Sequence, residues 1–170
     1  MARRIHFKEE QKFRQWWIWA IILLSIGVWF YSVFVQLIMG KDVGNNPSSD
    51  TFMILVGILP LIIIYAFFSI KLLTVVDSEG VHYRFVPWQR KLKTIQRSEI
   101  QEYKIRKYRP IREYGGWGVR TGSRKYGSAY NVSGNTGMQF FLTNGKKLLI
   151  GTHRPEPFRR AMDKLMGSES

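Results

Sequence analysis

Three histidines, His6, His82 and His153, are the side chains best able to hold a metal or move a proton in this sequence, and no cysteine is present to assist them. They fall in three separate regions, and none has the spacing of a metal-binding pair. The absence of cysteine excludes disulfides, thiolate zinc sites, thiol nucleophiles and iron–sulfur clusters. The patterns G-x-S-x-G, H-E-x-x-H and G-x-x-x-x-G-K-[ST] do not occur. Gly122-Ser123-Arg124-Lys125 imitates part of a phosphate loop without its spacing. The carboxylates Asp77, Glu79, Glu99, Glu102 and Glu113 lie in polar stretches that suggest turns and solvated faces. The expectation is therefore no catalytic set, no metal and no cofactor.

Basic residues are the more informative group. There are 26 Lys and Arg against 12 Asp and Glu, a net charge of +14. Lys104, Arg106, Lys107, Arg109 and Arg112 form one dense run, with Arg120, Arg124 and Lys125 further along. Strand alternation would put Lys104 and Arg106 on one face and Ile105 on the other. Such a patch suits a binding partner or anionic lipid headgroups, at about 1 kcal/mol for each basic residue near the surface. The plainer reading is a solvated face. No groove-reading motif is present, so nucleic acid is not expected as a partner. A second feature is Tyr114-Gly115-Gly116-Trp117-Gly118-Val119-Arg120. Its glycines suit positive φ, and Trp117 is either an exposed contact residue or a structural cover.

The elements that position these residues begin with a hydrophobic pair. Trp16 to Met39 and Phe52 to Ile70 carry no charged residue, and each is long enough to cross a hydrocarbon layer of about 30 Å. Trp16, Trp17 and Trp19 resemble an interfacial aromatic belt, and Lys71 closes the second segment by snorkelling. Pro60 predicts a kink. The turn-rich stretch 40–51 reads as the bend of a hairpin. The first segment is longer than the apolar core of a signal peptide, and no small-residue cleavage site follows it. Transport by the hairpin alone is not expected, because its membrane helices hold no intramembrane carboxylate or arginine. The predicted division is a basic arm over 1–15, a transmembrane hairpin over 16–73 (helices 16–39 and 52–73) and a β domain over 74–170. Lys and Arg crowd both flanks, while the bend carries only Lys41. That asymmetry predicts both termini in the cytoplasm.

Beyond residue 71 the pattern turns to short strands. Lys71 to Val76, Val81 to Phe85 and Leu92 to Ile95 read as the first three. Ile100 to Ile105 reads as a bend running into a strand, and residues 118–120 and 128–132 as further strands. Met138 to Thr143, Asn144-Gly145 and Lys146 to Ile150 predict a hairpin with a type I′ turn. Phe158, Ala161, Met162 and Leu165 have helical spacing, giving a terminal helix over 155–166 stopped by Gly167.

The whole order, with SEGVHYRF, RSEIQEYKI, GGWGVR, AYNVSG and GMQFFLTNGKKLLIGTHRPEPF, resembles the pleckstrin-homology-like domains of small bacterial membrane proteins. The resemblance implies an α+β fold, a strongly bent seven-stranded sheet or barrel capped by a C-terminal helix. It implies a binding function and no catalytic set. The functional expectation is a non-catalytic accessory or scaffold subunit of a larger complex in the bacterial cytoplasmic membrane. The alternative is a lipid-binding or lipid-sensing module.

Overall fold

The computed structural model describes residues 4–13, 16–41, 49–121 and 125–167. The chain divides into two compact units. One is Arg14–Ser69, and the other joins Met1–Phe13 to Ile70–Ser170.

The first unit is a pair of helices. Helix α1 covers Trp16–Val33 and runs on through one wider π-helical turn, Phe34–Ile38. Helix α2 covers Asp50–Ser69 and continues through Pro60. Both are long and apolar enough to cross a membrane, and their side chains are mostly uncovered within the protein. They meet closely at Gly57, where any Cβ would strike the Trp29 ring. The Trp29 indole N–H donates to the Met53 carbonyl at 2.9 Å. Most of the expected bend, residues 42–48, lies outside the described residues.

The second unit is α+β, as expected, with nine strands among the described residues rather than seven. Residues 1–15 read as an arm, yet Ile5–Lys12 forms a strand, β1. It alternates outward Lys8, Glu10 and Lys12 with buried Phe7, Glu9 and Gln11. That burial stayed hidden because two of the three inward residues are polar. Strand β1 pairs antiparallel with β2, Lys71–Asp77, and Lys12 stands opposite Lys71. The helical unit is thus an insertion between two neighbouring strands. The β domain consequently begins with β1 and resumes at Ile70, not at residue 74. The second helix ends at Ser69, not 73.

Strands β3 (Gly80–Val86) and β4 (Lys93–Gln96) complete an antiparallel sheet in the order β1-β2-β3-β4. A single 3-10 turn, Arg97–Glu99, leads into β5 (Ile100–Lys107). A five-residue helix, α3 (Pro110–Tyr114), precedes β6 (Gly118–Thr121) and β7 (Ser128–Asn131). Strands β8 (Thr136–Leu142) and β9 (Lys147–Gly151) finish a second sheet, ordered β5-β8-β9-β7-β6, in which β7 and β9 run parallel. Neither sheet closes on itself among the described residues.

The β8–β9 turn differs from the type I′ expectation. Gly145 has φ +75°, but no described non-glycine residue has positive φ, so Asn144 does not adopt the mirror-image conformation. Gly145 N–H donates to Leu142 O at 2.9 Å, and Leu142 N–H to Lys146 O at 2.9 Å. This is the three-residue loop, a type I turn followed by a left-handed glycine. The Asn144 carboxamide oxygen accepts from Lys146 N–H at 3.0 Å and holds the alternative in place.

Helix α4, Pro155–Met166, buries Phe158, Ala161, Met162 and Leu165 and ends on left-handed Gly167, as the spacing predicts. It packs on β1, β2, β5 and β8, so one apolar core includes residues of both sheets. Phe158 stacks on Phe7 with centroids 4.8 Å apart.

Candidate functional site

The histidines are each held in a separate local setting. His6 sits where β1 slips register: Ile5 faces Asp77 and Phe7 faces Val76, leaving His6 as the extra residue of a bulge. His153 bonds Ser133 Oγ through Nε2 at 2.9 Å. His82 is buried on β3, with Nε2 at 2.9 Å from Asp77 Oδ1 and Nδ1 at 2.8 Å from Thr94 Oγ1.

One cluster escaped the spacing argument. Asp77, Glu79 and His82 bring potential ligand atoms within 4.8 Å of one another. The hairpin between β2 and β3 causes this by folding residue 82 back over residue 77. Asp77 Oδ1 also accepts from Glu79 N–H at 2.9 Å and Gly80 N–H at 3.3 Å. An aspartate folding back on N–H groups two and three residues onward fixes a tight turn. Both His82 nitrogens and this oxygen are therefore engaged in holding the β2–β3 hairpin to β4.

The basic run separates into engaged and free members. Arg106, half-buried, donates Nε to Gln139 Oε1 at 3.1 Å and a terminal nitrogen to Tyr114 Oη at 3.0 Å. Its other terminal nitrogen pairs with Glu113 at 2.8 Å. Lys104 reaches Glu102 at 3.4 Å and lies over the Phe141 ring. Ile105 packs against the core, as alternation requires. Lys107, Arg109 and Arg112 are exposed, and their cationic groups make no ion pair among the described residues. Arg120 Nε donates to Trp117 O at 3.0 Å, and Arg124 lies outside the described residues.

The glycine-rich segment forms a shaped loop. Gly115, Gly116 and Gly118 all have positive φ, at +73°, +126° and +113°. Trp117 is half-buried and donates its indole N–H to Gly134 O at 3.0 Å, tying this loop to the one before β8. Tyr108 and Tyr114, buried nearby, form a small second core with Ala129 and Leu149. Burial pushes the Tyr108 phenol up to about 12 and also raises that of Tyr114.

Of the expected interface residues, Trp16 is exposed and Trp19 packs on Phe68 at 4.9 Å. The Trp17 side chain lies outside the described residues. Lys71 ends no helix. It opens β2, and its ammonium lies 3.8 Å from Glu10.

Two constellations at β1 bring together residues that the sequence did not group. In the first, the buried Glu9 carboxylate accepts from Thr152 Oγ1 at 2.6 Å and from His153 N–H at 2.9 Å. Gln11 Nε2 donates to Gly151 O at 2.6 Å. These bonds fasten the strand before the insertion to the segment joining β9 to α4. The second is a basic pocket formed by Arg4, the start of β1 and α4, lined by Arg4, His6, Arg160 and Lys164 among others. Long-range pairing of this kind leaves no periodic trace in a single sequence.

Compared with protein-family models, curated proteins and solved structures, the chain matches none.

Proposed function

We propose that this chain is a membrane-anchored, non-catalytic accessory or scaffold subunit of a larger complex in a bacterial cytoplasmic membrane. The observation that carries the reading is the insertion of the apolar hairpin between β1 and β2. An anchor attached by two strands of the folded domain holds that domain at the membrane through two covalent links. Because Lys12 and Lys71 are register partners, the chain leaves the sheet and re-enters it at one place. This supports both termini lying on one side, the cytoplasmic one by the charge asymmetry.

The hairpin fits packing better than passage. Its apolar spans, 16–39 and 52–69, carry no charged residue. A groove of about 580 Å³ runs between the helices, lined by Ile22, Ser25, Trp29, Leu59, Pro60 and Ile63 among others. In a bilayer such an apolar groove receives either an acyl chain or a neighbouring helix. A pleckstrin-homology-like reading of the β domain, with its terminal helix and binding role, agrees with this assignment. The engaged histidines and carboxylates also suit a scaffold.

Exposed Lys107, Arg109 and Arg112 favour a second reading, attraction to anionic lipid. The test is purification of the tagged full chain from its native membrane in several mild detergents, with mass spectrometry of what remains bound. A second membrane protein at fixed stoichiometry is expected. Recovery of the chain alone in every detergent would overturn the proposal.

A further inference from the structure

We propose that the pocket between the start of β1 and the outer face of α4 binds a phosphoryl group. The cavity, of about 500 Å³, is lined by Arg4 just before β1, by Ile5 and His6 of β1, and by Pro157, Arg160, Ala161 and Lys164 of α4. Four of these are basic or titratable, and none is acidic. The side chains of Arg4, His6, Arg160 and Lys164 make no ion pair or hydrogen bond with any described residue. The nearest acidic groups of α4 serve elsewhere. Asp163 accepts from Tyr103 Oη at 2.7 Å and pairs with Arg159 at 3.9 Å, while Glu156 does not line the cavity.

Sequence and packing both act to bring these charges together. On α4, positions 157, 160, 161 and 164 share one face by helical spacing. On β1, the bulge at residue 6 breaks the pairing with β2 and re-aims the His6 side chain. The Phe7–Phe158 stack then fixes the two elements against each other, one residue from His6 on β1 and two from Arg160 on α4. Like charges gathered in a concave site repel one another and destabilise the fold unless an anion joins them. Two planar guanidinium forks, one ammonium and one imidazole supply many donors around one centre. A single carboxylate would neutralise one of them. A phosphate, with up to two charges and several acceptor oxygens, satisfies the set. A soluble phosphate compound and a lipid headgroup both carry this group, and the two arms of the experiment separate them.

The full chain in a neutral detergent is titrated with inorganic phosphate while the His6 ring resonances are followed by NMR. In parallel, the chain is reconstituted in phosphatidylcholine nanodiscs with and without phosphatidic acid, and the same resonances are read. A saturable His6 shift with inorganic phosphate assigns a soluble ligand. A shift with phosphatidic acid alone assigns a headgroup. Arg160→Ala with Lys164→Ala should weaken whichever shift occurs by at least tenfold. Lys107→Ala with Arg112→Ala, which removes equal charge elsewhere, should weaken it less than twofold. Both pairs are surface side chains, so the fold survives either change. No His6 shift in any arm, or equal weakening by the two pairs, overturns the proposal.

Discussion

Replacing Glu9 with alanine should loosen β1 from the rest of the domain. Glu9 is only 7% exposed, and its two acceptors serve Thr152, itself 2% exposed, and the His153 amide. Hydrogen bonds to a charged group contribute about 1.5–3 kcal/mol each, and a buried donor left without an acceptor costs about 1–3 kcal/mol. The two bonds share one carboxylate, so their effects do not add fully. Removal of the buried charge also offsets part of the loss. A net cost of about 3 kcal/mol follows, roughly a hundredfold in the opening equilibrium of β1. Glu9→Gln keeps an acceptor for the His153 amide and loses the charge, so it should cost about 1 kcal/mol. Amide hydrogen exchange of the full chain in detergent reads this directly, since β1 is an edge strand whose one strand partner among the described residues is β2. Protection of the Lys71–Asp77 peptide should fall about a hundredfold in Glu9→Ala and about fivefold in Glu9→Gln. Unchanged protection in Glu9→Ala, or equal loss in both variants, would refute the reasoning.

Other consequences can be checked on the same preparation. Arg106→Ala should destabilise the domain by about 2–4 kcal/mol in pulse proteolysis, because Glu113, Tyr114 and Gln139 lose a shared partner, while Lys107→Ala should change it by less than about 0.5 kcal/mol. Gly127→Ala should cost about 2–5 kcal/mol by the same assay, since φ is +75° and the new methyl would collide with the Lys147 carbonyl. Burial raises the phenols of Tyr83, Tyr108 and Tyr114, so a phenolate absorbance titration should show a late group above the ordinary value of about 10. The folded state favours the neutral phenol, so this contribution is whole below about pH 10 and falls as pH rises through about 12.

The parts that could be read from sequence were those with a local period. The apolar helices, the β2 and β3 strands, the β8–β9 hairpin and the buried face of α4 all announce themselves through spacing. What failed to show depends on partners distant in the chain. Strand β1 hides its burial because Glu9 and Gln11 face inward, and their acceptors and donors lie beyond residue 150. Arg106 looked like a free cation because its partners Glu113, Tyr114 and Gln139 come from two other elements, α3 and β8. The Asp77–His82 pair needed the hairpin to exist before it could be seen. One practical correction follows: a 74–170 fragment cuts through β2 and omits β1, so binding experiments belong to the full chain.

The central claim, an anchor inserted between two strands with both ends on one side of the membrane, can be tested by single-cysteine labelling. The chain has no native cysteine, so each introduced thiol reports alone. Lys8→Cys, Ser49→Cys and Lys107→Cys are expressed in sealed membrane vesicles and treated with a membrane-impermeant maleimide. The account predicts that Lys8→Cys and Lys107→Cys label together from the cytoplasmic face and that Ser49→Cys labels only from the opposite face. Labelling of all three from the same face would contradict it.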